Sequence, residues 1–184
     1  MKISSSLLLR SALAVAMASP LLASAESQLV TGAATTTGAA ARLNFSVQIP
    51  KVLYLAVGTD NTTINTLTFD YSANAADVGS GTDSAAQDVS VRVLGNNGQI
   101  TVAAAGSGTG LTNGADVIPW TEILATSSDA TNFNVPAVGA NTTPVINSGK
   151  LTDRTATWAY RYSNTNVAAP GTYTGQVTYT ATMP

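Results

Sequence analysis

Read with a period of two, RLNFSVQIPKVLYLAVG (residues 42–58) puts Leu43, Phe45, Val47 and Ile49 on one face and Asn44, Ser46 and Gln48 on the other. Strict alternation over several residues is the pattern of a half-buried strand. Pro50 then interrupts it. A proline has no N–H to give a central ladder, so Pro50 marks a bulge, kink or edge, and the chain is expected to change sheets there. Val52 to Val57 resumes as a more continuous apolar run, and Thr66 to Tyr71 predicts a short strand with Leu67, Phe69 and Tyr71 on one side.

Residues 88–106, DVSVRVLGNNGQITVAAAG, read as a hairpin. Val89, Val91 and Val93 alternate with Ser90 and Arg92, and Ile100, Val102 and Ala104 repeat the pattern beyond Gly95-Asn96-Asn97-Gly98. Asn-Gly readily supplies the positive φ angles of a tight turn. Val117 to Leu124, with Trp120, predicts a further strand, followed by a long Ser, Thr, Asn and Ala stretch expected to loop over the surface. Thr155 to Tyr162 places Trp158, Tyr160 and Tyr162 on one face. A turn at Pro170-Gly171 leads to a terminal strand in which Tyr173, Val177, Tyr179 and Ala181 share a side, and these last two strands are expected to pair as a hairpin. Short strands rich in Val, Ile, Thr and Tyr between turn residues predict an all-β, immunoglobulin-like β-sandwich.

The first 25 residues stand apart. Lys2 precedes a largely apolar stretch, shorter than a membrane span and interrupted by Arg10, that ends Ala23-Ser24-Ala25. That is the layout of a cleaved secretory signal peptide, so the chain is expected to be exported with no integral membrane segment afterwards. Cleavage leaves about 160 residues, enough for one domain with its own core. The remaining basic residues, Arg42, Lys51, Arg92, Lys150, Arg154 and Arg161, are scattered singly against 10 acidic ones. Nucleic acid, which needs clustered cations, is not an expected partner.

Neither Cys nor His occurs. Ser-His-Asp and Cys-His sites, the imidazole base and the usual zinc and copper ligands are therefore excluded, and stability must come from packing and backbone pairing. Carboxylate catalysis needs two acids across a cleft, and nothing pairs any two of the aspartates, which fall mostly in turns. No enzyme, cofactor or metal is expected. Asp77, Asp83 and Asp88 in a Gly- and Ser-rich loop have the chemistry for calcium but not the spacing of a calcium-binding helix loop. The glycines of residues 106–114, GSGTGLTNG, lead into no Lys-bearing helix and read as a flexible surface loop rather than a phosphate cradle. Lys51 or Lys150 in an isopeptide bond to an Asn is supported by no spacing rule. The Trp158, Tyr160 and Tyr162 stripe is expected to pack into the core rather than stack on sugars.

The last fourteen residues, GTYTGQVTYTATMP, carry no charged side chain and alternate from Gly171 through Tyr173, Gly175, Val177, Tyr179 and Ala181 to Met183. This resembles the carboxy-terminal motif of chaperone-usher pilus subunits, in which a glycine about fourteen residues from the end opens an alternating apolar strand. The penultimate Met183 stands where an aromatic residue is common, and the absence of cysteine is similar to the alpha-type and common-pilus groups. The resemblance implies a sandwich that lacks one strand. It further implies that a periplasmic chaperone fills the gap during export and the amino-terminal extension of the next copy fills it in the fibre, each by adding a strand, with polymerisation through an outer-membrane usher. Gly171, Tyr173, Gly175, Val177, Tyr179, Ala181 and Met183 would then form the groove and chaperone-pairing strand.

The same reading asks for a donor segment. Residues 27–42, SQLVTGAATTTGAAAR, supply Leu29, Val30, Thr31, Gly32, Ala33, Ala34, Thr35 and Thr36, an uncharged run whose two faces offer either set of side chains inward. Burying roughly 200 to 300 Å² of apolar area there would contribute roughly 5 to 8 kcal/mol before entropy costs. The expected organisation is a signal peptide over residues 1–25, an amino-terminal extension and candidate donor strand over 26–42, and a pilin-like sandwich over 43–184. The implied function is a structural subunit of an adhesive surface fimbrium, a homopolymer built by donor-strand exchange. The alternative is a self-sufficient exported β-sandwich that binds a carbohydrate or a surface protein.

Overall fold

Runs of alternating β-branched residues fold here as an all-β chain, with nine strands among the described residues. The computed structural model describes residues 27–32, 38–59, 62–73, 75–139, 142–145 and 149–184; the predicted signal peptide lies outside them. The strands are β1 (Leu53–Val57), β2 (Gln87–Gly95), β3 (Ile100–Gly106), β4 (Gly110–Asn113), β5 (Asp116–Pro119), β6 (Ile123–Ser127), β7 (Thr143–Val145), β8 (Thr152–Tyr162) and β9 (Val177–Thr182). They form a four-stranded sheet β1-β2-β8-β6, a three-stranded sheet β7-β3-β9 and the β4-β5 ribbon, antiparallel throughout. Among the described residues no helix is long and apolar enough to cross a membrane.

The inward faces are those the alternation predicts. Val89, Val91, Val93, Trp158 and Tyr160 of the first sheet and Ile100, Val102 and Val145 of the second bury together in one core. Phe133 joins them fully buried, its ring edge-on to Trp158 at 5.4 Å between centroids. Because Trp158, Tyr160 and Tyr162 are all buried, they offer no aromatic platform to a sugar.

Several pairings differ from expectation. β2 and β3 reverse through the predicted Asn-Gly turn, with Gly98 at φ +85, but they do not pair with each other. The turn is a corner between sheets. Asn96 ties it to the strand before it, donating from Nδ2 to the Pro50 carbonyl at 2.8 Å and accepting the Val52 amide on Oδ1 at 2.8 Å. A Cβ on Gly95 would meet Ile100 Cδ1 at 2.7 Å, so a larger residue there would make the Ile100 side chain shift. β8 and β9 likewise lie in different sheets, because β8 is already flanked by β2 and β6. Thr66 to Tyr71 forms no ladder, although Leu67 and Phe69 still pack on the core. The glycine-rich loop at residues 106–114 contains β4, which pairs with β5 across Gly114.

The chain divides into two units at Ile49 and Pro50. In the second, Pro50–Pro184, lie all nine strands. In the first, the described residues 27–32 and 38–49 form no helix or strand and are all exposed. The alternating run from Leu43 to Ile49 is therefore not a strand of the sandwich, and the compact unit begins at Pro50. Pro50 accounts for the break, since the ladder of β1 starts only three residues later.

One acidic residue is structural. Glu122, at the end of the 3-10 turn Trp120–Glu122, is buried and accepts hydrogen bonds from Ser163 Oγ (2.7 Å), the Thr165 amide (2.9 Å), Thr165 Oγ1 and the Asn166 amide (3.3 Å). Burial pushes its carboxyl up, but these donors outweigh that and hold it below the usual carboxylate range. A depressed folded pKa means stability that is fully present above the unfolded value of about 4.3 and is lost as pH falls through the folded one. Glu122→Gln is expected to cost about 1 to 3 kcal/mol at pH 7, the worth of a charge-assisted bond, and to flatten the acid limb. Urea midpoints at pH 7 and pH 3 check both effects.

Candidate functional site

One open feature of the Pro50–Pro184 unit is the edge of β9. β9 pairs with β3 on one side, from Thr101↔Thr182 to Gly106↔Val177, and among the described residues no strand pairs with its other side. The Ser107 amide donates to the Gln176 carbonyl at 2.8 Å. Bonded pairs alternate along an antiparallel ladder, so Thr178, Thr180 and Thr182 turn their backbone groups to β3. Val177, Tyr179 and Ala181 turn theirs outward, as an unfilled template for another strand.

The side chains alternate in step. Val177, Tyr179, Ala181 and Met183 point inward and stay only partly buried, while Thr178, Thr180 and Thr182 are exposed on the outer face. Tyr179 packs on Trp158 at 5.2 Å between ring centroids, and its hydroxyl meets that of Tyr160 at 2.8 Å. Burial pushes both phenols well above their ordinary value, so both are neutral at any physiological pH.

Across the open side lies β1, which sits beside β9 and is the edge of the other sheet. Its inward residues Leu53, Leu55 and Val57 grade from exposed to half-buried. β2 runs opposite β1, reverses into β3, and β3 runs opposite β9, so β1 and β9 point in opposite directions. The inward residues of β1 and β9 are thus apolar, uncharged and only partly covered. One end is tied by Lys51 Nζ, which donates to the Pro184 carbonyl at 3.0 Å, and by Asn97 Nδ2, which donates to the same oxygen. At the other end stand Trp120 and Leu111: a Cβ on Gly175 would meet Trp120 Cη2 at 2.8 Å and Leu111 Cδ2 at 3.0 Å.

Of the residues expected to form this strand, Val177, Tyr179 and Ala181 lie on β9 and Met183 continues it. Gly171, Tyr173 and Gly175 precede it; there the chain makes only a bridge between Thr174 and Thr112. Of the expected donor, Leu29, Val30, Thr31 and Gly32 are exposed and form no strand, whereas Ala33, Ala34, Thr35 and Thr36 lie outside the described residues. The apolar run left uncovered is the next one along. Leu43 is 61% exposed, Phe45 85%, Val47 83% and Ile49 78%. Their alternation was visible in the sequence and pointed to a strand, which the structure does not form.

The other candidate chemistry is sparse. A surface hollow of about 510 Å³ is lined by Asp70, Asp77 and Asp83 with Tyr71 and Gln87, but not by Asp88. Asp88 stands on β2 opposite Ala159. Among the described residues no group of three or more acidic side chains is placed to hold a metal ion. Comparison with protein-family models and with curated proteins finds no match.

Proposed function

We propose that the chain is a structural subunit of an adhesive surface fibre, exported through the periplasm and polymerised by strand exchange. The observation that carries the reading is the apolar face of Leu43, Phe45, Val47 and Ile49, exposed throughout and placed directly before a unit whose β9 edge is unpaired. Four large side chains in water are a standing cost. Burying each would contribute about 1.5 to 3 kcal/mol, more than the small residues of Leu29 to Thr36 supply. The donor is accordingly Leu43–Ile49, and residues 27–42 precede it as a tether.

Chain connectivity supports a second copy as the acceptor. A strand lying antiparallel to β9 runs parallel to β1, and parallel neighbours need a crossover of a dozen or more residues. Only Pro50, Lys51 and Val52 separate Ile49 from β1. Held antiparallel to β9, a segment that fits the groove cannot turn back into its own, and it makes a head-to-tail contact that does not close, which generates a filament. The resemblance to chaperone-usher subunits adds a periplasmic chaperone and an outer-membrane usher, and cover in transit suits an edge that would otherwise aggregate. The immunoglobulin-like topology is then an incomplete one, made whole by the neighbour.

The test uses the exported chain and two peptides, residues 42–50 and residues 27–36. Size-exclusion chromatography is expected to show a ladder of oligomers. Excess 42–50 peptide is expected to shorten the ladder and raise the melting temperature, and the 27–36 peptide to do neither. A single monomer peak indifferent to both peptides would overturn the proposal in favour of a self-sufficient binder.

A further inference from the structure

We propose that the exchanged strand has one register, antiparallel to β9, in which Phe45 of one copy lies beside Ala181 of the next. The inference rests on the strand-exchange reading above and adds what sets its specificity. Both partners alternate, so their inward faces coincide only in registers two residues apart. In an antiparallel alignment only one of these overlays all four apolar side chains on all four groove positions: Leu43 on Met183, Phe45 on Ala181, Val47 on Tyr179 and Ile49 on Val177.

Size and steric stops select the same register. It puts the largest donor side chain, Phe45, beside the smallest groove residue, Ala181, and the smaller Val47 beside Tyr179, the large-with-small alternation that fills a core without voids. A slip of two towards Gly175 sets Phe45 beside Tyr179 and drives Ile49 against the wall of Trp120 and Leu111. The opposite slip carries Leu43 past Met183 and leaves Val177 uncovered. Direction follows from the rest of the molecule, in which every named strand pairing is antiparallel. In the chosen register the polar outward residues also match, Asn44 with Thr182, Ser46 with Thr180 and Gln48 with Thr178, and these are the non-bonded pairs of the ladder, where side chains approach most closely.

The chain has no cysteine, so disulfide trapping reads the register without background. Non-bonded antiparallel pairs, with Cα atoms about 4.5 Å apart, lie inside the disulfide window. In oxidised oligomers of the full chain, Asn44→Cys with Thr182→Cys, and Gln48→Cys with Thr178→Cys, are each expected to give covalent ladders on a non-reducing gel. The swapped combinations, Asn44→Cys with Thr178→Cys and Gln48→Cys with Thr182→Cys, report a parallel strand. Asn44→Cys with Thr180→Cys and Gln48→Cys with Thr180→Cys report slips of two in either direction. The matched pairs are expected to crosslink at least about fivefold more than any of these, given the steep distance dependence of disulfide geometry. Oligomers trapped better by a swapped or slipped pair, or by none, overturn the register while leaving strand exchange standing. Absence of oligomers in every variant and in the parent overturns both.

Discussion

Phe133→Ala is expected to cost about 3 to 5 kcal/mol, the range for deleting a buried ring whose surroundings relax only in part. The site gives little room to collapse. The Phe133 ring stands edge-on to Trp158, while its carbonyl accepts from Ser127 Oγ at 2.7 Å and from Trp158 Nε1 at 3.5 Å. Its amide donates to the Asp129 carbonyl at 2.8 Å. These bonds hold the backbone in place, so the truncated side chain leaves a cavity rather than a shifted loop. Against a typical total of about 5 to 15 kcal/mol, the loss leaves a marginal or unfolded unit. Phe133→Leu, which keeps most of the volume, is expected to cost far less. Denaturant midpoints of the three proteins decide it, and equal midpoints for wild type and Phe133→Ala would place Phe133 outside the core.

Phe133 also shows where periodicity stops informing. It lies in a stretch of Ser, Thr, Asn and Ala, where its alternation with Val135 is cut short by Pro136, and that stretch reads as surface. Where the alternation is sustained, as through Val89, Val91 and Val93 or Trp158 and Tyr160, the buried face is legible from residue identity alone. Which strand lies next to which is not. A period of two says which side of a strand is apolar and is silent about its neighbours, so a turn as clear as Asn97-Gly98 joins two sheets instead of two paired strands. The grip of Asn96 on Pro50 and Val52 at this corner acts across a sequence distance that no local window spans.

The same silence applies to the candidate site. Val177, Tyr179 and Ala181 are readable as one face of a terminal strand, but that the far edge of this strand is unpaired depends on where β1 and β8 go. Under the strand-exchange proposal, Leu43 to Ile49 carries the pattern of a core strand because a strand lent to another copy must satisfy the same chemistry as one kept. Only its exposure, together with the short connection to β1, separates the two cases.

Phe45→Glu is expected to abolish oligomer formation while leaving the thermal stability of the monomeric chain unchanged. With Phe45 85% exposed, the side chain contributes no packing to the chain that carries it, so its loss has nothing to weaken there. In the groove of the next copy the consequence reverses. There a carboxylate would replace an aromatic ring beside Ala181 and Tyr179. An unpaired charge taken out of water costs several kcal/mol, which at about 1.4 kcal/mol per decade amounts to at least a hundredfold loss of association. Ser46→Glu, one position along and facing outward, places the same charge in solvent and is expected to leave assembly within about threefold of wild type, as surface substitutions generally do. Sedimentation velocity on the three proteins separates the cases. Equal loss for both variants would mean that charge on the segment matters and its inward face does not; no loss for Phe45→Glu would mean that this face is never buried.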